Sequence, residues 1–254
     1  MCGVPSYNLT IQVADNAPNT LGAFPAGTLF DTVAVRVVVG NVNDLTVTAA
    51  SRTTFGTGGS QSITFTGTNF GFVVPRHPPV VTATYAQATE AGYSYTATGC
   101  QVITGGNTQI TCTTAAGVGA NLFWTLTVNG ESVTSTIATA YIAPVITGVS
   151  QATVSPTTGG RYVNITGTNL GNNAAAISVV YSRTITYNAA SCLVVTPNTY
   201  VSCQTVAGAG SSHEFKITVG GQSSPWSGVT AVASYAAPVV TAIAAPALST
   251  EVRR

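Results

Sequence analysis

The sequence predicts an all-β protein built of tandem two-layer β-sandwiches. Three observations carry this expectation: a composition rich in β-branched and hydroxyl side chains but poor in charge, short segments that alternate apolar and polar residues, and an internal repeat about 95 residues long.

Apolar residues make up 45% of the 254 and charged residues only 6%, against a usual charged share of about 25%. Thr, Ser, Asn, Gln and Gly must therefore cover the surface. A Thr- and Val-rich mixture in which Lys216 is the only lysine suits a pleated sheet better than a helix. The formal net charge of +1 supplies no field for polyanions, which argues against nucleic acid as a partner. Weakly charged, nearly neutral surfaces associate, so glycans or neighbouring protein surfaces are the expected cover. The longest apolar run, Val33 to Val39, is broken by Arg36 and falls far short of the roughly 18 residues that cross a bilayer. No basic segment followed by an apolar stretch opens the chain. Met1 stands just ahead of a predicted strand, Tyr7 to Val13, and the expectation is a piece of a longer protein.

The repeat is direct. SITFTGTNFG at Ser62 to Gly71 returns as VNITGTNLG at Val163 to Gly171, and YIAPVITGVS from Tyr141 returns as YAAPVVTAIA from Tyr235. A period of this length means tandem domains rather than a solenoid, and it suggests independent beads. Within each unit Ile63 and Phe65, or Val163 and Ile165, alternate with polar partners between Gly, Pro and Asn turns, as half-buried antiparallel strands do. Two packed sheets bury such strands economically. The GTN-x-G step is expected to supply glycines where the chain turns with positive φ; a phosphate loop would need a following Lys and a helix.

Cysteine spacing is the sharpest signal. Cys100 and Cys112 have Gly105 and Gly106 near their midpoint, and Cys192 and Cys203 have Pro197 and Asn198 at theirs. Residues equidistant from a hairpin turn face each other with Cβ atoms about 4.5–5.5 Å apart, close to what a disulfide needs. The pairs Cys100–Cys112 and Cys192–Cys203 are therefore expected, in an oxidising compartment. Zinc is the competing use of four cysteines, but neither a His nor a second Cys pair sits nearby in sequence. Cys2 is left over, with its partner expected upstream.

Both units resemble the IPT/TIG family of immunoglobulin-like modules. The second carries Pro156, Gly159 and Gly160, VNITGTNLG, Val180 and Tyr181, the Cys192 and Cys203 pair, FKITVGGQ at Phe215 to Gln222 and the closing Tyr235. The first carries Gly58 and Gly59, ITFTGTNFG, Tyr85, the Cys100 and Cys112 pair, Gly117 and Gly119, LTVNGES and Tyr141. The resemblance implies tandem immunoglobulin-like β-sandwiches at 45–142 and 143–236, with the start of a third at 237–254, where a strand is expected from Pro238 to Ile243. Residues 1–44, with YNLTIQVADN and VAVRVVVGNVNDL, are similar to the last strands of a cadherin repeat. On that likeness Asp15, Asn43 and Asp44 fall on calcium-binding positions, while Asn41 stands where the family usually has Asp. A complete site needs six to eight oxygens, so calcium and a plain structural turn both fit this segment. No other cofactor is implied.

Asn8 and Asn164 stand in the sequons NLT and NIT, opposite inward-facing Leu9 and Ile165, and are candidate glycan acceptors. Trp124, in the apolar run FWTLTV, reads as core; Trp226, between SSP and SG, reads as a loop residue able to stack a sugar ring. His77 and His213 have no metal-spaced companions, and His213 with Glu214 reads as a solvated turn. Catalysis needs a nucleophile with its base, paired carboxylates or a cofactor loop, and no such constellation is present in the sequence. The reading is a non-catalytic extracellular structural or adhesive module, a building block of a cell-surface fibre, an appendage such as a flagellar hair, or a coat. Receptor ectodomain and carbohydrate-binding accessory module are the alternatives, since sandwiches of this kind host many roles.

Overall fold

Period-two alternation places every second side chain of a strand on one sheet face, and both repeats use it to line the inner faces of two sheets. The computed structural model describes residues 45–71, 73, 78–88, 92–103, 106–228 and 232–244. The first repeat contains β1 (Thr46–Ala50), β2 (Thr54–Phe55), β3 (Ser62–Thr68), β4 (Val81–Gln87), β5 (Ser94–Thr96), β6 (Thr98–Val102), β7 (Gln109–Thr113), β8 (Leu122–Val128) and β9 (Glu131–Tyr141). They form the sheets β1-β3-β7-β6 and β2-β9-β8-β4-β5, antiparallel except where β2 runs parallel to the end of β9.

The second repeat restates this plan with β10 (Val145–Ser150), β11 (Tyr162–Thr168), β12 (Ile177–Ser182), β13 (Thr186–Asn188), β14 (Ala190–Thr196), β15 (Tyr200–Gln204), β16 (His213–Val219), β17 (Gln222–Ser223) and β18 (Val232–Ala233). Its sheets are β10-β11-β15-β14 and β13-β12-β16-β17, with β18 also paired to β16. A single 3-10 turn, Ala174–Ala176, precedes β12, and a parallel bridge from Ser155 to Tyr235 replaces β2. The fold is thus the all-β, tandem immunoglobulin-like sandwich that the sequence predicts.

Each sandwich has its own core. Ile63, Phe65, Ile110, Trp124 and Leu126 are fully buried in the first, and Val163, Ile165, Val201, Phe215 and Ile217 fill the second. Trp124 stacks on Tyr85 with ring centroids 4.1 Å apart, and its indole N–H donates to the Thr139 hydroxyl at 3.0 Å, so burial leaves no polar group of that ring unpaired.

Four expectations change. First, Gly67 and Gly167 lie inside β3 and β11 and carry no positive φ; a Cβ there would overlap the carbonyl oxygen of Thr46 or Val145 on the neighbouring strand. That strand approaches closely because its register slips at Val47/Ala49 and at Ile146/Gly148. The expected positive φ holds at the second glycine of each step, Gly71 and Gly171 (79° and 75°), and at Asn69 and Asn169 (65° and 56°). Second, His213 is no solvated turn: it opens β16 and is 3% exposed. Third, residues 237–244 form no strand, and Val239, Val240 and Ile243 are 82%, 77% and 88% exposed. In the preceding repeat β10 forms because β11 offers it an edge; no described residue offers one to Val239.

Fourth, the domains are not independent beads. Both fall within one compact unit, and in it Val118 of the first domain is 6% exposed and belongs to the second domain's core. Gly220 has no room for a Cβ, which would lie 2.7 Å from both the Gly119 nitrogen and a Val118 methyl. The Gln222 amide donates to the Tyr141 carbonyl at 2.9 Å, the Thr57 N–H donates to Asn169 Oδ1 at 3.3 Å, and Tyr93 packs against both cores.

Candidate functional site

Cys100 of β6 is bonded to Cys112 of β7, and Cys192 of β14 to Cys203 of β15. Each bond therefore ties an edge strand to the one neighbour it has in the sheet among the described residues. Both pairs sit in β-bulges. The register passes from Thr98↔Thr113 to Gln101↔Thr111, and from Ala190↔Gln204 to Leu193↔Ser202, so two residues face one cysteine. The first residue of each bulge is left-handed, Gly99 at φ 59° and Ser191 at φ 46°.

In each domain a set of tyrosines holds one loop by its backbone. The Ala115 N–H donates to Tyr85 Oη at 2.9 Å, Tyr141 Oη donates to the Ala115 carbonyl at 2.7 Å, and the two hydroxyls meet at 2.7 Å. The second domain repeats this at Val206, between Tyr181 and Tyr235. Gly117 and Gly208 let the chain pass between the rings: a Cβ at Gly117 would lie 2.6 Å from Tyr95 and 2.7 Å from Tyr141.

Burial raises the pKa of Tyr85, Tyr95, Tyr141 and Tyr235 above the usual tyrosine value. A raised folded-state pKa means that the stabilisation is complete below the unfolded value, about 10, and is lost as pH climbs through and beyond it. Thermal unfolding is accordingly expected to be flat from neutral pH to about 9.5 and to fall steeply above about 10. A midpoint unchanged at pH 11, or a tyrosinate titration of the folded protein that is complete near the free-tyrosine value and leaves no late-titrating fraction, would contradict this.

His213 occupies the position that Leu122 has at the start of β8. Its Nε2 lies 3.1 Å from the Ala209 carbonyl, and its ring stands edge-on to Tyr181, Tyr187 and Tyr235 at 5.7, 5.5 and 5.6 Å. Nδ1 is buried with no partner among the described residues. Aligning HEFKITV with LFWTLTV would have revealed this inward position.

The predicted surface residues fall apart from one another. Asn164 lies on β11 opposite Ile165, half-buried, its Oδ1 accepting from the Ser202 hydroxyl at 2.8 Å. Trp226 is 43% exposed. With Ser182, Arg183 and Glu214 it lines an open cleft of about 490 Å³, and the Lys216 ammonium lies over its ring, 6.0 Å from the centroid. Sequence reasoning found the tryptophan but not the three charged neighbours that β12 and β16 bring to it. Asn8, Asp15, Asn43, Asp44, Cys2 and His77 lie outside the described residues. Among the described residues no three His, Cys, Asp or Glu side chains are grouped to hold a metal, and no helix is long and apolar enough to cross a membrane.

No curated protein matches this chain. Among solved structures, the plexin A4 extracellular region is 18% identical, with 77% of this chain and 19% of that one covered at a TM-score of 0.33. FdeC, an adhesin of Escherichia coli, is 17% identical over 77% of this chain and 65% of its own, at 0.29. Invasin, a bacterial integrin-binding protein, is 13% identical over 70% and 36%, at 0.31. The chain thus spans less than a fifth of the plexin region and about a third of invasin. The IPT/TIG domain profile matches residues 45–141 and 144–232, well over half of the sequence, and the chain belongs to the IPT/TIG domain family.

Proposed function

We propose that the chain is a non-catalytic extracellular module of structural or adhesive type, a building block of a cell-surface fibre, appendage or coat. The observation that carries this reading is one disulfide per sandwich in a chain with almost no charge. Disulfides persist in oxidising compartments, and a hydroxyl-rich neutral surface favours contact with like surfaces. Leu193 and Val195, each 52% exposed on edge strand β14, add an apolar strand edge of the kind that pairs with neighbours. In this reading residues 45–142 and 143–236 are the two domains, 1–44 end a cadherin-like repeat in which Asp15, Asn43 and Asp44 form a structural turn or contribute part of a calcium site, and 237–254 begin a third domain. Asn8 and Asn164 carry glycans, which an intact mass of the secreted chain detects. Electron microscopy of the native particle tests the whole: regular filaments of identical chains are expected, and isolated flexible rods would favour a receptor ectodomain instead.

The Trp226 cleft favours a second reading, saccharide binding. Arg183, Glu214 and Lys216 gather around one exposed ring on an otherwise charge-poor surface, a combination that stacks a sugar and hydrogen-bonds its hydroxyls. Titrating soluble oligosaccharides, neutral and uronic-acid-containing, is expected to quench Trp226 fluorescence, and Trp226→Ala to weaken binding about tenfold or more. A flat titration with both classes would end this reading.

A further inference from the structure

The far end of the second domain presents, position by position, the residues with which the first domain holds the second. Thr57 and Thr157 are equivalent, because the Gly117 N–H donates to the Thr57 carbonyl at 3.0 Å and the Gly208 N–H to the Thr157 carbonyl at 2.8 Å. Val118 and Ala209 follow those glycines, each hydrogen-bonded through both its N–H and its carbonyl to a tyrosine hydroxyl, Tyr95 or Tyr187. Tyr93 and Ile185 each stand two residues before that tyrosine, and the Tyr141 carbonyl is matched by that of Tyr235.

Their surroundings differ. In the first domain Thr57 is 2% and Val118 6% exposed, and Tyr93 packs on both cores, because the second domain's Asn169, Gly171, Gly220 and Gln222 sit over them. In the second domain Thr157 and Ala209 are exposed, and Ile185 is 61% exposed. Beside this end runs Tyr235 to Ile243, which repeats the linker and first strand at Tyr141 to Val149. Val239 and Val240 are largely exposed there, whereas their counterparts Val145 and Ile146 pair with Thr168 and Gly167. One occupant would cover both apolar exposures.

We infer that this end of the second domain is a docking surface for the tip of a further IPT/TIG domain. An Asn-x-Gly turn and a glycine hairpin followed by Gln seat on Ile185, Ala209 and Thr157, as Asn169, Gly171, Gly220 and Gln222 seat on Tyr93, Val118 and Thr57. Each junction then repeats the same rotation, and the tandem is stiff rather than hinged. This goes beyond the proposed function and stands equally for a fibre or a receptor stalk.

The test extends the chain: residues 1–236 followed by a second copy of 143–254, which supplies the complementary tip at native linker spacing. The first linker and the new one are both expected to resist limited proteolysis, and NMR alignment is expected to give one common orientation for adjacent domains. Ile185→Asp in the upstream copy should speed cleavage at the new linker about tenfold, while the melting of each sandwich stays unchanged, since that side chain is exposed. A new linker cut as fast as an unstructured peptide, or an Ile185→Asp chain that behaves as its parent, would overturn the inference. So would protection that depends on protein concentration, which would mean docking between separate copies.

Discussion

Trp124→Ala is expected to destabilise the first domain by about 3–5 kcal/mol, enough to separate its unfolding from that of the second. The indole is fully buried and touches aromatic rings on several strands: Tyr85 on β4 at 4.1 Å, Phe65 on β3 at 4.9 Å and Phe55 on β2 at 6.3 Å between centroids. These rings are themselves fixed, Tyr85 by its bonds to Ala115 and Tyr141, so the site cannot collapse around the void. Loss of the N–H also leaves the Thr139 hydroxyl with only the Leu122 carbonyl as partner. With Trp124 gone, Trp226 is the sole indole and reports the second domain alone, while circular dichroism reports both. Two transitions in denaturant are expected, the first well below that of the parent. A loss under about 1 kcal/mol would mean that this ring is not the centre of the core.

The sandwich and its staples were legible because both rest on spacing. Alternation sends Ile63, Phe65, Val163 and Ile165 inward whatever the neighbours are, and two cysteines nearly symmetric about a turn come within one register step of facing each other, a step that the bulges take up. What depended on the approach of a distant strand was not legible. Gly67 reads as a turn glycine because its neighbour Asn69 does turn, yet it is excluded volume at β1 that requires it. His213 beside Glu214 reads as polar surface, because a buried imidazole needs three tyrosines that lie up to 32 residues away in the chain. The left-handed Ser191 has no signal at all, since Ser is not a residue that advertises positive φ. At the surface, Trp226 was readable from its loop context, but Arg183 and Glu214 reach it only through the pairing of β12 with β16, where Ser182 faces Glu214. The domain junction was hidden for the same reason: Val118 looks like any loop valine until the second domain is laid over it.

Removing the second disulfide, as Cys192→Ala with Cys203→Ala, is expected to cost about 3 kcal/mol, the chain entropy released by opening a loop of this size. For a domain near 100 residues that lowers the melting temperature by roughly 12–20 °C. The loss should begin locally. Strand β14 has one neighbour among the described residues, its register slips on both sides of Leu193 and Val194, and Leu193 and Val195 are each about half exposed and gain little from burial. Without the bond, backbone amides of β14 are expected to exchange with solvent well before those of β11 and β16, which are paired on both sides. The freed apolar edge should also make the variant prone to self-association. The parent under strong reductant should behave like the double variant, whereas Cys203→Ala alone leaves a half-buried thiol on β14, which reacts with maleimide once that strand frays. Four reactive thiols from these cysteines in the unreduced native protein would refute the bonded geometry, and with it the assignment to an oxidising compartment on which the extracellular reading stands.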